Sequence, residues 1–223
     1  MDLDEIQEVI NLDKEPKANG PFGPGSIGYL EDTGIPQYDP ERAKELVARY
    51  EEETGEPLEF TFTVWDNPAV VATAQLVQAQ AKRVGVTMHI DPVEQATMIV
   101  RAIAGDFQAL AFQNHPGGDP DNQYVWWHGD SPTNFNNFDD PEINALLEEG
   151  RASSDPARRK EIYEEINREF AKEIYNIWLS WNVWAIGTAT NVHGILGAPL
   201  PDGQEPFPGL ADGHSLSGTW MSD

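Results

Sequence analysis

Cysteine is absent from the sequence. That excludes disulfide staples, thiolate metal sites and cysteine nucleophiles. It does not fix the redox compartment, because many exported bacterial proteins also lack Cys. Basic residues are scarce: 14 Lys and Arg stand against 38 Asp and Glu, for a net charge of −24. A chain this acidic repels phosphate backbones and anionic lipid, which argues against nucleic-acid partners and charge-driven membrane binding. There is no apolar run of about 18 residues or more, the length a spanning helix needs. The opening residues Met1-Asp2-Leu3-Asp4-Glu5 have neither a basic region nor an apolar stretch. No signal peptide is visible, so the expectation is either a cytoplasmic protein or a natural N-terminus lying further upstream.

What is present suffices for a core. The 223 residues are 39% apolar and 10% aromatic, with seven Trp, which excludes a wholly disordered chain. The length suits one large domain or two small ones. Residues 2–11 have Leu3, Ile6, Val9 and Ile10 at helical spacing. Residues 16–38 are rich in Pro and Gly but carry Phe22, Ile27, Tyr29 and Leu30, and read as an ordered connector rather than a free linker.

A regular alternation follows. Asp39-Pro40 starts a helix that Gly55 stops, with Ala43, Leu46, Val47 and Tyr50 on one face. Residues 58–65 alternate as a half-buried strand does. Asn67-Pro68 opens a helix ended by Gly85, residues 86–93 read as a strand, 94–104 as a helix and 107–113 as a third strand. Strands joined by crossover helices pair in parallel, so an α/β core is predicted. Residues 114–138 read as a loop too long to be a routine connection. Asp140-Pro141 and Asp155-Pro156 cap two further helices, the second with a stripe of Ile162, Ile166, Phe170 and Ile174. Residues 176–187 read as an aromatic strand or strand pair, and 194–223 as a Gly/Pro-rich tail.

The order of segments carries a resemblance. YDPERAKEL (38–46), KRVGVTMHI (82–90), AGDFQALAF (104–112), GDPDN (118–122), the paired helices of 136–173 and NVHG (191–194) occur in sequence. Together they resemble the C-terminal lobe of bacterial extracellular solute-binding proteins of family 5. That family includes the dipeptide-, oligopeptide- and nickel-binding components of ABC importers. The resemblance implies an α/β fold, the periplasmic-binding-protein type II C-terminal lobe, with a mixed sheet and flanking helices. It divides the chain into a connector with a short helix (1–38), a ligand-binding lobe (39–190) and a return segment (191–223) that would pack on an N-terminal lobe outside this sequence. It also implies a solute such as a peptide or oligosaccharide as ligand, ABC permease subunits as partners, an extracytoplasmic location (periplasmic or cell-surface lipoprotein) and no cofactor.

The candidate ligand-binding residues are Asn114, His115, Asp119, Asp121, Trp126 and Trp127. Asp119 and Asp121 in GDPDN suit a cationic or hydroxyl-rich ligand, and equally suit plain turn chemistry. A calcium loop fits worse, because Gln123 stands where a third acidic ligand is usual. Trp126 and Trp127 offer faces for sugars, peptides or cations, and on an extended segment only one of two neighbours faces a cleft. Trp178, Trp181 and Trp184 read as packing residues. None of the five His forms a metal-ligand pair, so no metal site is expected. In peptide-binding members of the resembling family an acid shortly before the GDP-like segment pairs with the peptide ammonium; here Pro116 takes that position. An acidic glycoside hydrolase or a carbohydrate-binding module is the alternative, although no carboxylate pair is singled out by spacing.

Overall fold

The computed structural model describes residues 1–114, 119–183, 187–195 and 218–222. Its first element is a short helix α1 (Leu3–Ile6) that widens into a π-helical turn over Gln7–Asn11. The widening takes Val9 off the predicted apolar face and leaves it exposed, while Ile6 is buried. This segment is fastened to the sheet region: Arg83 donates through both terminal nitrogens to Glu5 at 2.7 Å, and Gln80 donates to the Asp2 carbonyl.

The alternating half follows: α2 (Pro40–Thr54), β1 (Glu59–Trp65), α3 (Pro68–Arg83), β2 (Thr87–Val93), α4 (Gln95–Ala104) and β3 (Ala109–Leu110). All three helices start where an acidic or amide side chain caps the first free N–H groups, and in α2 and α3 proline occupies a first-turn position that needs no donor. Asp39 accepts from Arg42 N at 2.9 Å and Asn67 from Ala69 N at 2.9 Å. Gly55 and Gly105 end α2 and α4 at positive φ, where a Cβ would be strained. The three strands form one parallel sheet in the order β2-β1-β3, with Glu59 opposite Thr87 and Phe62 opposite Ala109. The predicted crossovers α3 and α4 pack on it, α3 against β1 and β2, α4 against β1. The third strand is shorter than predicted, although Ala111 N still donates to Thr63 O just past its end.

The second half is helical and aromatic. A 3-10 turn (Pro120–Gln123) runs into α5 (Tyr124–Trp127), so part of the predicted 114–138 loop is helical. The hairpin of α6 (Pro141–Ala152) and α7 (Pro156–Glu173) comes next. Ile143 and Leu147 from α6 meet Ile162, Ile166 and Phe170 from α7 in a core that also takes Phe22 from the connector. Gly28 lies so close to this core that a Cβ there would sit 2.6 Å from Tyr163 Cβ. Ile174, read as the end of the buried stripe, is 46% exposed instead. It caps α7 in the left-handed region at φ +54°, so it no longer follows the helical register.

Residues 176–183 correct the strand prediction. They make a single antiparallel bridge, Lys17 with Ser180, flanked by Ala18 N donating to Leu179 O and Trp181 N to Pro16 O. Pro16 has no N–H to return, so the ladder stops there. Trp178 packs edge-on against Trp127 and Phe170, and Trp181 donates its indole N–H to Gly20 O at 3.2 Å. Trp184 lies outside the described residues. An antiparallel pair, β4 (Val192–His193) with β5 (Trp220–Met221), is the only other ladder among the described residues.

Candidate functional site

The 119–128 turn is built from its own sequence. Asp119 accepts from Asp121 N at 2.8 Å and Pro120 sets the first helical φ, so the chain turns sharply into helix. The next residues divide by side. Trp127 is 4% exposed and packs edge-on against Phe22 and Phe170. Trp126 is half-buried and turns towards Phe112 and Phe135. The two rings therefore separate, Trp127 within the core and Trp126 half-buried at its margin, by helical rather than extended geometry.

Phe112, Trp126 and Phe135 form a three-ring cluster with centroid separations of 5.3–5.8 Å. Phe112 lies two residues past β3 and is 42% exposed. The cluster thus stands beyond the carboxyl end of a parallel strand, the edge at which open α/β sheets take their ligands. Neither Phe112 nor Phe135 was singled out from the sequence. Phe112 reads there as one more apolar strand residue, and only the early end of β3 leaves it outside the sheet. Asn114, at the same end, donates to Gln123 Oε1 at 2.7 Å, and its own Oδ1 is buried without a hydrogen-bond partner among the described residues. His115 lies outside the described residues, as does Pro116.

The two candidate aspartates are both held by arginine. Arg159 reaches Asp119 with both terminal nitrogens, at 2.9 and 2.5 Å, and Arg151 Nε reaches both oxygens of Asp121 at 2.9 and 3.2 Å. The Arg159 guanidinium holds the Asp119 carboxyl below the usual carboxylate range, against the opposing effect of partial burial. Arg151 also lies over the Tyr124 ring, 3.6 Å from its centroid. Tyr124 in turn stacks on His128, at 4.5 Å and 14°. Asp140, the α6 cap, is pushed up by burial but pulled down further by the N–H groups of Ile143 and Glu142 and the Tyr175 hydroxyl. Among the described residues no three His, Asp or Glu side chains gather as metal ligands. No described helix is long and apolar enough to cross a membrane.

A parallel sheet flanked by helices in this arrangement is a fold found in type II periplasmic binding proteins. Residues 1–137 match the family model of bacterial extracellular solute-binding proteins, family 5 middle, and the chain belongs to that family. It is similar to di/tripeptide-binding protein 2 of Pseudomonas aeruginosa, 26% identical over 200 residues, covering 86% of this chain and 38% of that protein. Di/tripeptide-binding protein 4 of the same organism is 30% identical over 169 residues, covering 70% of this chain and 31% of the relative. The oligopeptide-binding protein AppA from Bacillus subtilis, solved with a nonapeptide, shares the fold with a TM-score of 0.79 at 20% identity, covering 100% of this chain and 46% of that one. These relatives are named as binding proteins, and the chain spans less than half the length of each.

Proposed function

We propose that this chain supplies one lobe of the substrate-binding component of an ABC importer, and that its solute is a short peptide. The observation that carries the reading is the half-exposed cluster of Phe112, Trp126 and Phe135 beyond the sheet's carboxyl edge, in a chain of this family. Ring faces contact apolar side chains and peptide planes without demanding one sequence. The lobe captures the peptide between itself and a second lobe and hands it to permease subunits. The work is done outside the cytoplasm, in the periplasm or at the cell surface, and no bond of the solute is broken. Residues 1–38 connect the lobes, and the described pair β4 and β5 belongs to the segment that meets the second one.

Asn114, Trp126 and Phe112 are the residues assigned to ligand contact. Asp119 and Asp121 join the site through the turn they hold, and Trp127 through the core beneath it. Pro116, in place of an acid, gives the peptide ammonium no countercharge from that position. The test is a titration with trialanine and with cellotriose, followed by NMR at the tryptophan indoles. One lobe supplies part of the ligand's contact surface, so affinity in the millimolar range is expected. Trialanine should shift the Trp126 indole and leave Trp127 unmoved. A shift with cellotriose alone, or release of glucose from it, would replace the peptide reading by a carbohydrate one.

A further inference from the structure

The aromatic cluster rests on the core through Trp126, and the turn that precedes Trp126 is held by two arginines further along the chain. Trp126 lies in α5, directly after the 3-10 turn that Asp119 caps and that carries Asp121, and each aspartate meets a guanidinium from the neighbouring hairpin. Arg159 stands in the first turn of α7 and Arg151 in the last turn of α6, either side of the hairpin connection. Arg159 makes a fork-to-fork pair and also donates from Nε to Gly150 O at 3.2 Å. Its side chain is only 18% exposed. Bidentate pairs of this kind fix orientation as well as distance, which a lysine cannot do. Arg151 adds a second plane of contact by lying on Tyr124, within the same turn.

Arg159 points at the carboxylate that caps the turn, Asp119, and Arg151 at the carboxylate of Asp121 within it. Neither leaves a free cation for a ligand, and neither aspartate is left unpaired. The charge pattern therefore describes a brace: the hairpin corner grips the N-terminal half of the 3-10 segment through Asp119 and Asp121, Arg151 also covers Tyr124 just past its end, and the segment sets the angle at which α5 presents Trp126 to Phe112 and Phe135.

We propose that Arg151 and Arg159 are positioning residues for the ligand wall, acting through Asp121 and Asp119 to fix the orientation of Trp126. This rests on the reading of the aromatic cluster as ligand wall, but the orientation of Trp126 can be measured without any ligand.

The experiment uses the chain labelled with 5-fluorotryptophan, the Trp126 resonance being assigned by its loss in Trp126→Phe. In Arg159→Ala the Trp126 resonance should move or broaden while those of Trp65 and Trp178 hold. Trialanine affinity should fall roughly fivefold or more, the range seen when a remote support is removed. Arg159→Lys should recover part of the resonance position, and Arg151→Ala should give a smaller displacement. If Arg159→Ala does not fold, Arg159→Lys and Arg151→Ala are judged by the same criteria. An unmoved Trp126 resonance in the folded variants overturns the proposal. Displacement of all tryptophan resonances together overturns it too, because the arginines then serve the whole fold. If wild type does not bind trialanine, the ligand-wall reading fails, and the fluorine resonances alone still decide whether the brace exists.

Discussion

The sheet half and the hairpin half of this molecule differ in how much they bury. Around the hairpin, Ile143, Leu147, Ile166 and Phe170 are completely covered, and aromatic rings from the connector and the 119–128 turn fill the space between them. Around the sheet only single residues reach comparable burial, Val64 and Ala74 among them, while Ile99, Val100 and Ile103 of α4 stand exposed. Close packing is where removing atoms costs most. The hairpin half therefore anchors the fold, and the sheet half presents strand ends and loops from a thinner base.

The largest expected effect follows directly. Phe170→Ala removes a ring that touches Trp127, Phe138, Tyr175 and Trp178, and should cost about 3–5 kcal/mol in urea unfolding. Met98→Ala, on the buried side of α4, should cost about 2 kcal/mol, the low end for a buried methionine, because the exposed residues beside it on α4 leave the site room to collapse. Equal losses would break the contrast between the halves. So would two separate unfolding transitions of equal stability.

Charge distinguishes the halves in the same direction. In α7 the bases keep pace with the acids: Arg158 pairs with Glu149 and Glu161, Arg168 with Glu165, Lys172 with Glu169. In α2 the run Glu51-Glu52-Glu53 has only Arg49 beside it, 3.8 Å from Glu53. With a net charge of −24, self-repulsion opposes compaction, and salt weakens it. At about 1 M NaCl the screening length falls to about 3 Å. The melting temperature should rise by about 3 °C or more, the change that about 1 kcal/mol makes in a domain of this size. Amide exchange should slow more in α2 than in α7. A fall in melting temperature with salt would mean that the surface pairs outweigh the repulsion.

The sequence makes the sheet half easier to read than the hairpin half's surface. Asp-Pro and Asn-Pro pairs, positive-φ glycines and alternating strands are local signals, and α2, α3 and the parallel pairing of β1 with β2 follow from them. The stripe of Ile162, Ile166 and Phe170 is legible for the same reason. Residues 176–183 are not, because an aromatic-rich extended segment has strand composition whether or not its neighbour can pair, and Pro16 is 164 positions from Ser180. The candidate site is half legible. Trp126 stands out as an indole in a loop, and the Asp-Pro turn beside it stands out as well. Phe112 and Phe135 become visible only when the end of β3 and the turns after α5 bring them together. The arginines that hold Asp119 and Asp121 are hidden by distance along the chain, and no local pattern marks them.

The smallest expected effect concerns one of those pairs and tests where acid acts first. Asp119 has its folded pKa lowered, chiefly by the hydrogen bonds from Arg159. A lowered folded pKa means that the unfolded chain binds the proton first, so the pair's stabilisation is complete above the ordinary aspartate value of 3.8 and is lost as pH falls through the lower folded value. Asp119→Asn keeps the capping oxygen, since asparagine caps as well as aspartate, but cannot titrate. Its stability should therefore fall less steeply than wild type below pH of about 4, with a difference of about 0.5 kcal/mol or less after allowance for solvent screening of a half-exposed carboxylate. The measurement is urea unfolding at a series of pH values, with amide exchange at Tyr124 and Val125 to locate the loss. If Asp119→Asn follows the wild-type slope, the pair does not respond to acid. If the first amides to exchange in acid belong to β1 and β2, the sheet half fails before the brace, and the acid-sensitive point lies outside the 119–128 turn.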